Sequence, residues 1–244
     1  MNLPHKLMIK GKIHSFQSLG PVDGPGIRAG VFMQGCPLRC VCCHNPDTWD
    51  FNGANEYSAD EVAKKVLRYK SYFGKDGGIT VSGGEPLMQS AFVTELFIKM
   101  HENGINTCLD TSGCVLDDNV KELLSHTDLV LLDYKYTNEE DYEKHTRLSK
   151  QKVDEFLEYT KEQNIKVILR TVIIPSLNDK EETALYLAKL KNSYPNVIKN
   201  ELLGFRKLCL EKYESMGIDF PLKDTPEAPQ ETLDVLNGII RDNI

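Results

Sequence analysis

A single α/β domain of six strand-helix units, wound as a partial (β/α)6 TIM-like barrel, is predicted by two observations. Short apolar, β-branched runs alternate with amphipathic helical stretches along the 244 residues, and nearly every unusual cluster of residues lies just after one of those runs. Strict alternation implies parallel strands joined by right-handed crossovers, in a closed barrel-like sheet or an open doubly wound one. In a barrel the C-terminal strand ends converge on one mouth, where active sites form, and the clusters sit at those ends.

The strands are read at Ala29 to Gln34, Ile79 to Ser82, Ile105 to Asp110, Leu129 to Asp133, Val167 to Val172 and Val197 to Leu203, each bounded by turn residues. Ser58-Ala59-Asp60-Glu61 is a capping box that starts a helix running to about Tyr72, and Asp179 with Glu182 repeats the signature. Further amphipathic stretches cover Ala91 to Glu102, Asp118 to Leu124, Val153 to Glu162 and Thr232 to Ile240, with Gly104 stopping the first of them. No repeat, low-complexity tract or Gly/Ser linker supports a domain boundary within residues 1–244.

Composition narrows the class of function. A hydrophobic content of 41% suffices for a substantial core, and 29 Lys and Arg against 36 Asp and Glu leave a net charge of −7, which argues against a general nucleic-acid binder. The opening MNLPHKLMIKGKIHSF holds no apolar run of signal-peptide length and nothing approaches a membrane span, so a cytoplasmic protein is expected. Seven cysteines, four of them within residues 36–43, make a poor disulfide framework and a natural metal site in a reducing compartment.

Cys36, Cys40 and Cys43 form C-x3-C-x2-C, a spacing expected by chance in on the order of one per cent of such chains. Structural zinc normally takes four ligands from two paired motifs, and no second pair follows before Cys108; His44 is close, but adjacent residues such as Cys43 and His44 rarely aim at one tetrahedral ion. Three thiolates on a four-iron cube instead leave one iron open for chemistry. Elsewhere, Ser82-Gly83-Gly84-Glu85 ends a strand with two residues lacking side chains, so that backbone can approach a ligand closely. Asp133-Tyr134-Lys135 closes the fourth strand, where a solvated ion pair is the plain reading. Asp110 and Thr111 with Asp133 offer hard oxygen ligands to a monovalent cation. Arg170, in an otherwise apolar strand, needs an anionic partner such as Asp23. His14 is equally well read as a packed core histidine.

DGPGIR at Asp23 to Arg28, QGCPLRC at Gln34 to Cys40, CHNPDTWD at Cys43 to Asp50, SGGEP at Ser82 to Pro86 and CLDTSG at Cys108 to Gly113 together resemble the radical S-adenosylmethionine superfamily. Within it the chain is most similar to activating enzymes of glycyl-radical enzymes, in particular the branch acting on pyruvate formate-lyase, and the resemblance covers nearly the whole chain. It implies a [4Fe-4S] cluster on Cys36, Cys40 and Cys43 and S-adenosylmethionine chelated to the open iron. An electron, from a flavodoxin or ferredoxin, then releases a 5′-deoxyadenosyl radical that takes hydrogen from a glycine of the partner. No cysteine lies between Cys43 and Cys108, so the ferredoxin-like insertion of many such activators is absent and residues 1–244 form one core domain.

The resemblance places Cys42, Cys43, His44, Gly83, Gly84, Glu85, Asp133, Tyr134, Lys135, Arg170 and Arg206 around S-adenosylmethionine. It sets Asp23, Gly24, Pro25, Gly26 and Arg28 at the barrel mouth beside the incoming glycine loop. Three departures stand out: Cys42 where the family usually has an aromatic residue, Tyr134 where Leu is common, and Gly204-Phe205-Arg206 where Pro-Tyr-His is typical. Alternatives are activation of a different glycyl-radical enzyme, a ring-forming enzyme resembling 7-carboxy-7-deazaguanine synthase, and a zinc or electron-transfer module. DGPGIR with CHNPDTWD favours the activator.

Overall fold

A computed structural model describes residues 9–244; the first eight residues, part of the stretch read as lacking a leader-length apolar run, lie outside it. The chain runs β1 (Lys10–Gly20), β2 (Arg28–Met33), β3 (Asn55–Ser58), α1 (Ala59–Leu67), β4 (Gly78–Gly83), α2 (Ser90–Glu102), β5 (Asn106–Thr111) and α3 (Asp118–Ser125). It continues with β6 (Leu129–Asp133), α4 (Glu139–Thr146), α5 (Lys150–Glu162), β7 (Lys166–Ile173), α6 (Glu181–Ser193), β8 (Val197–Gly204), α7 (Leu210–Ser215) and α8 (Gln230–Asp242). Among the described residues no helix is long and apolar enough to cross a membrane.

One eight-stranded sheet has the order β3-β1-β2-β4-β5-β6-β7-β8. The neighbours from β2 to β8 are all parallel, and these are the six strands the sequence predicts. β1 and β3 extend the sheet with antiparallel pairing, and neither is anticipated by the sequence pattern. The sheet has two edges, so the barrel is partial.

Alternation of side chains sorts each parallel strand into two faces. Val31, Met33, Ile79, Val81, Leu109, Val130, Leu132, Val167 and Leu169 are buried in the main core with the helices. Cys108, Leu129, Leu131 and Ile168 form a second, smaller cluster on the other face. Two residues further along the same face stand Asp110, Asp133 and Arg170, so the face turns from apolar to charged toward the C-terminal strand ends.

Local signals mostly hold, with two corrections. Ser58 caps α1, its hydroxyl taking the Glu61 amide while the Glu61 carboxylate accepts from the Ser58 amide at 2.8 Å; the helix ends at Leu67, and Lys70–Tyr72 is a separate 3-10 turn. Gly104 stops α2 at φ +65°, its amide donating to His101. Asp179 does not cap α6: Lys180 occupies that position, and the Asp179 carboxylate closes a turn on the Ser176 amide at 2.9 Å.

Candidate active site

The four clustered cysteines follow β2 on a loop held from three directions. Cys36 and Gly35 donate amides to Trp49 (3.3 Å) and Thr48 (2.8 Å), and the buried Gln34 carboxamide donates to the carbonyls of Asp47 and Asp50. Arg39 donates to the Cys36 and Leu38 carbonyls, and its guanidinium lies 4.9 Å from the Trp49 ring centroid. From the C-terminal side, the Tyr213 hydroxyl donates to the Cys43 carbonyl and Lys212 reaches Asn45 and Asp47. The amide of Cys43 returns to the Cys40 carbonyl at 3.1 Å, closing the turn between the second and fourth of these thiols.

Cys36, Cys40, Cys42 and Cys43 are free thiols opening on one cavity of about 220 Å³. His44, Ser82 to Glu85, Asp110, Thr111, Asp133, Lys135 and Arg170 share its lining. Burial pushes the Cys36 thiol up to about 12 and the Cys42 thiol up to about 11, and raises Cys40 and Cys43 as well. Protonated thiols persist at neutral pH unless positive charge compensates their ionisation, which a bound metal centre supplies. Among the described residues no three His, Cys, Asp or Glu side chains are grouped around a position for a single metal ion. A cavity lined by these thiols together with polar groups suits the donor chemistry of an iron-sulfur cluster that carries a further ligand.

The polar wall is tightly tied. Glu85, 2% exposed, accepts from Thr111 Oγ1 (2.6 Å), the Ser112 amide (3.0 Å), the Ser112 hydroxyl (2.5 Å) and the Leu87 amide (3.1 Å). Burial still raises its pKa. Its carboxylate therefore joins the Ser82–Pro86 turn to the Thr111–Gly113 turn, with both oxygens taken by protein donors. Gly83 and Gly84 are also required for a different reason than the sequence suggests. A Cβ on either would strike the backbone of Met33 or Gly35, so these glycines let β4 pack against the start of the cysteine loop.

Lys135 donates to Asp133 at 2.7 Å. Burial opposes its charge, but Asp133 and the neighbouring thiols outweigh that and raise its pKa well above the ordinary lysine value. Burial pushes Asp110 up to about 6 against the pull of Arg170, whose Nη1 lies 3.4 Å away. Arg170 also faces Glu201 on β8 at 3.4 Å; that residue, half-buried beside the site, is missed by sequence reasoning because plain alternation from buried Val197 puts it on the opposite face, and an irregularity in the β7–β8 pairing after Val167 brings it beside Arg170.

Several predicted residues go elsewhere. Tyr134 points away from the cavity, its hydroxyl donating to Asp154 at 2.7 Å and meeting Tyr186 at 3.2 Å. Arg206 does not line the cavity: its guanidinium donates to the Ala228 carbonyl at 2.6 Å, and its own carbonyl pairs with His44. His14 is half-buried against Asp47 at 3.1 Å, behind the cysteine loop. The turn Asp23 to Gly26 corrects the expectation of a place at the mouth. It precedes Arg28, the first residue of β2, and Gly26 packs against Asp76 and Gly77 ahead of β4, at the N-terminal strand ends. From there the Asp23 carbonyl accepts from Thr80 at 2.6 Å and its Oδ2 is buried without a partner among the described residues, within electrostatic reach of Arg170.

Residues 31–187 match the Radical SAM superfamily. The chain is 44% identical over 225 residues to a pyruvate formate-lyase-activating enzyme of Clostridium pasteurianum, covering 92% of this chain and 94% of the relative. It is 43% identical over 235 residues to the enzyme of that name from Staphylococcus aureus (strain USA300), covering 92% of both. Streptococcus suis SuiB bound to S-adenosylmethionine superimposes with a TM-score of 0.65 at 16% identity, over 85% of this chain and 44% of that one. A radical SAM methyltransferase from Sphaerobacter thermophilus gives 0.63 at 15% identity, over 88% and 64%. At such identities these structures speak to the fold alone.

Proposed function

Because the chain belongs to the radical SAM superfamily, we propose that it is the activating enzyme of a glycyl-radical enzyme, with pyruvate formate-lyase as its protein substrate. The relatives that carry this name run the length of the chain. The observation that ties the reading to particular residues is the convergence of Cys36, Cys40 and Cys43 with Ser82–Glu85, Asp133 and Lys135 on one cavity at the C-terminal strand ends.

When bound, the [4Fe-4S] cluster and S-adenosylmethionine supply the reducing electron and the 5′-deoxyadenosyl radical that removes a hydrogen atom from the partner's glycine. Cys36, Cys40 and Cys43 would hold the cluster, the wall built by Glu85 would present backbone to the amino-acid end of S-adenosylmethionine, and Lys135 and Arg170 would offer positive charge to its carboxylate. Cys42, beside Cys43, opens on the same space and would lie against the cofactor, and His44, tied to the Arg206 carbonyl at 2.9 Å, would do the same. Residues 1–244 act as one core domain without a ferredoxin-like insertion, in the cytoplasm, and a flavodoxin or ferredoxin delivers the electron.

Anaerobic cluster reconstitution, then reduction with S-adenosylmethionine, should yield 5′-deoxyadenosine and methionine, and addition of pyruvate formate-lyase should give the EPR doublet of a glycyl radical. A fully loaded cluster yielding no 5′-deoxyadenosine would rule out the radical chemistry. Cleavage with no doublet on any pyruvate formate-lyase would redirect the partner alone.

Asp110, Asp133 and the main-chain oxygen of Thr111 would take a monovalent cation; the Thr111 hydroxyl is already engaged with Glu85. With Asp110 pushed up to about 6, protons compete for the same carboxylate. The cation concentration giving half-maximal cleavage should be flat above that pH and rise by about tenfold per unit below it. Unchanged cation dependence between pH 5 and 7.5 would remove Asp110 from the site.

A further inference from the structure

α4 bonds to both halves of the site. The carbonyls of His145 and Thr146, in its last turn, have no partners within the helix, and they accept the amides of Val41 and Arg39 from the cysteine loop, each at 3.0 Å. One turn earlier, the hydroxyl of the fully buried Tyr142 sits between two backbone groups of the Asp133–Lys135 triplet. It accepts from the Lys135 amide at 3.0 Å and donates to the Asp133 carbonyl at 3.3 Å. A tyrosine hydroxyl can do both at once, and no apolar ring can do either. The ring itself is held edge-on by Tyr134 and Tyr136, with centroids 6.0 and 6.1 Å away.

The remaining backbone of the triplet is fixed from β7 and its following turn. Tyr134 donates its amide to the Arg170 carbonyl at 2.8 Å, Thr171 donates to the Tyr134 carbonyl at 2.7 Å, and Asn178 reaches the Lys135 carbonyl at 3.3 Å. Those bonds set the triplet relative to the sheet. The Tyr142 bonds set it relative to the loop that carries the thiols.

We propose that α4 is a strut fixing the distance between the cysteine loop and the Asp133–Lys135 triplet, with Tyr142 as the positioning residue that places Lys135 against S-adenosylmethionine. The inference rests on the function proposed above. Replacing Tyr142 by Phe keeps the ring and leaves the Lys135 N–H and the Asp133 C=O buried without their shared partner, so the triplet shifts while the cluster ligands do not.

Tyr136 provides the control. It belongs to the same aromatic group, and its hydroxyl is buried with no hydrogen-bond partner among the described residues. Anaerobically reconstituted wild type, Tyr142→Phe and Tyr136→Phe are compared for iron content, thermal midpoint and S-adenosylmethionine affinity, the last read from the change it causes in the EPR signal of the reduced cluster. Tyr142→Phe should keep wild-type iron content and bind S-adenosylmethionine about 5- to 50-fold more weakly, with KM rising more than kcat falls. Tyr136→Phe should stay within about twofold of wild type. Unchanged affinity in Tyr142→Phe, an equal loss in Tyr136→Phe, or a loss that merely tracks missing iron would each overturn the strut. An iron-loaded wild type whose EPR signal ignores S-adenosylmethionine would instead overturn the function on which the strut depends, and the strut with it.

Discussion

Cys40→Ala is expected to leave the chain nearly free of iron after anaerobic reconstitution, a loss on the order of tenfold or more, whereas Cys42→Ala keeps a full complement. Both thiols open on the same cavity, so burial alone does not separate them. Backbone geometry does. Cys40 and Cys43 are the ends of one tight turn, closed by the Cys43 amide on the Cys40 carbonyl. Cys42 lies inside that turn, with Lys135 and Asp133 among the charges acting on it. Iron and sulfide analysis of the two variants decides the matter, and equal losses would show that the ligand set is wrong.

The parallel strands were legible because burial on both faces makes them read as continuous apolar runs, as in Leu129–Asp133 with four buried positions out of five. β1 was not, since Lys10–Gly20 intersperses buried Ile13 with lysines, serines and glutamine, and it pairs with β3 only through Lys10 to Ile13. α4 was hidden for a related reason. Glu139–Thr146 buries only Tyr142 and Thr146, too little for a hydrophobic stripe, although Asn138, accepting from the Asp141 amide at 2.9 Å, is a readable start signal. At the site, thiol spacing was visible in eight residues. The work of Glu85 was invisible because its partners Thr111 and Ser112 are 26 and 27 residues away, brought near by the pairing of β4 with β5.

Arg28 shows how a recognisable motif can mislead about place. DGPGIR suggests an exposed loop beside an incoming substrate, yet the Arg28 side chain is fully buried and its guanidinium donates to Thr80 Oγ1 (2.7 Å), the Ile79 carbonyl (2.7 Å), Asn106 Oδ1 (2.8 Å) and the carbonyls of Pro25, Asp76 and Asn106. These acceptors come from the turn before β2, the turn before β4, β4 itself and the start of β5. Arg28 thus ties three adjacent strands together at the ends remote from the cysteines. Truncation removes every donor at once and strands several buried carbonyls, and Lys cannot replace a planar fork that meets acceptors on several sides. Arg28→Ala should cost about 3–5 kcal/mol, a large share of the roughly 5–15 kcal/mol that holds a domain folded, and Arg28→Lys most of that amount. Thermal and urea unfolding of both variants provides the measurement. A variant that unfolds like the wild type but no longer activates its partner would return Arg28 to the substrate face, and with it the whole turn from Asp23. Destabilisation with residual activation in the folded fraction would leave Asp23, whose Oδ2 enters the charged interior near Arg170, as the member of the motif positioned to act in the site.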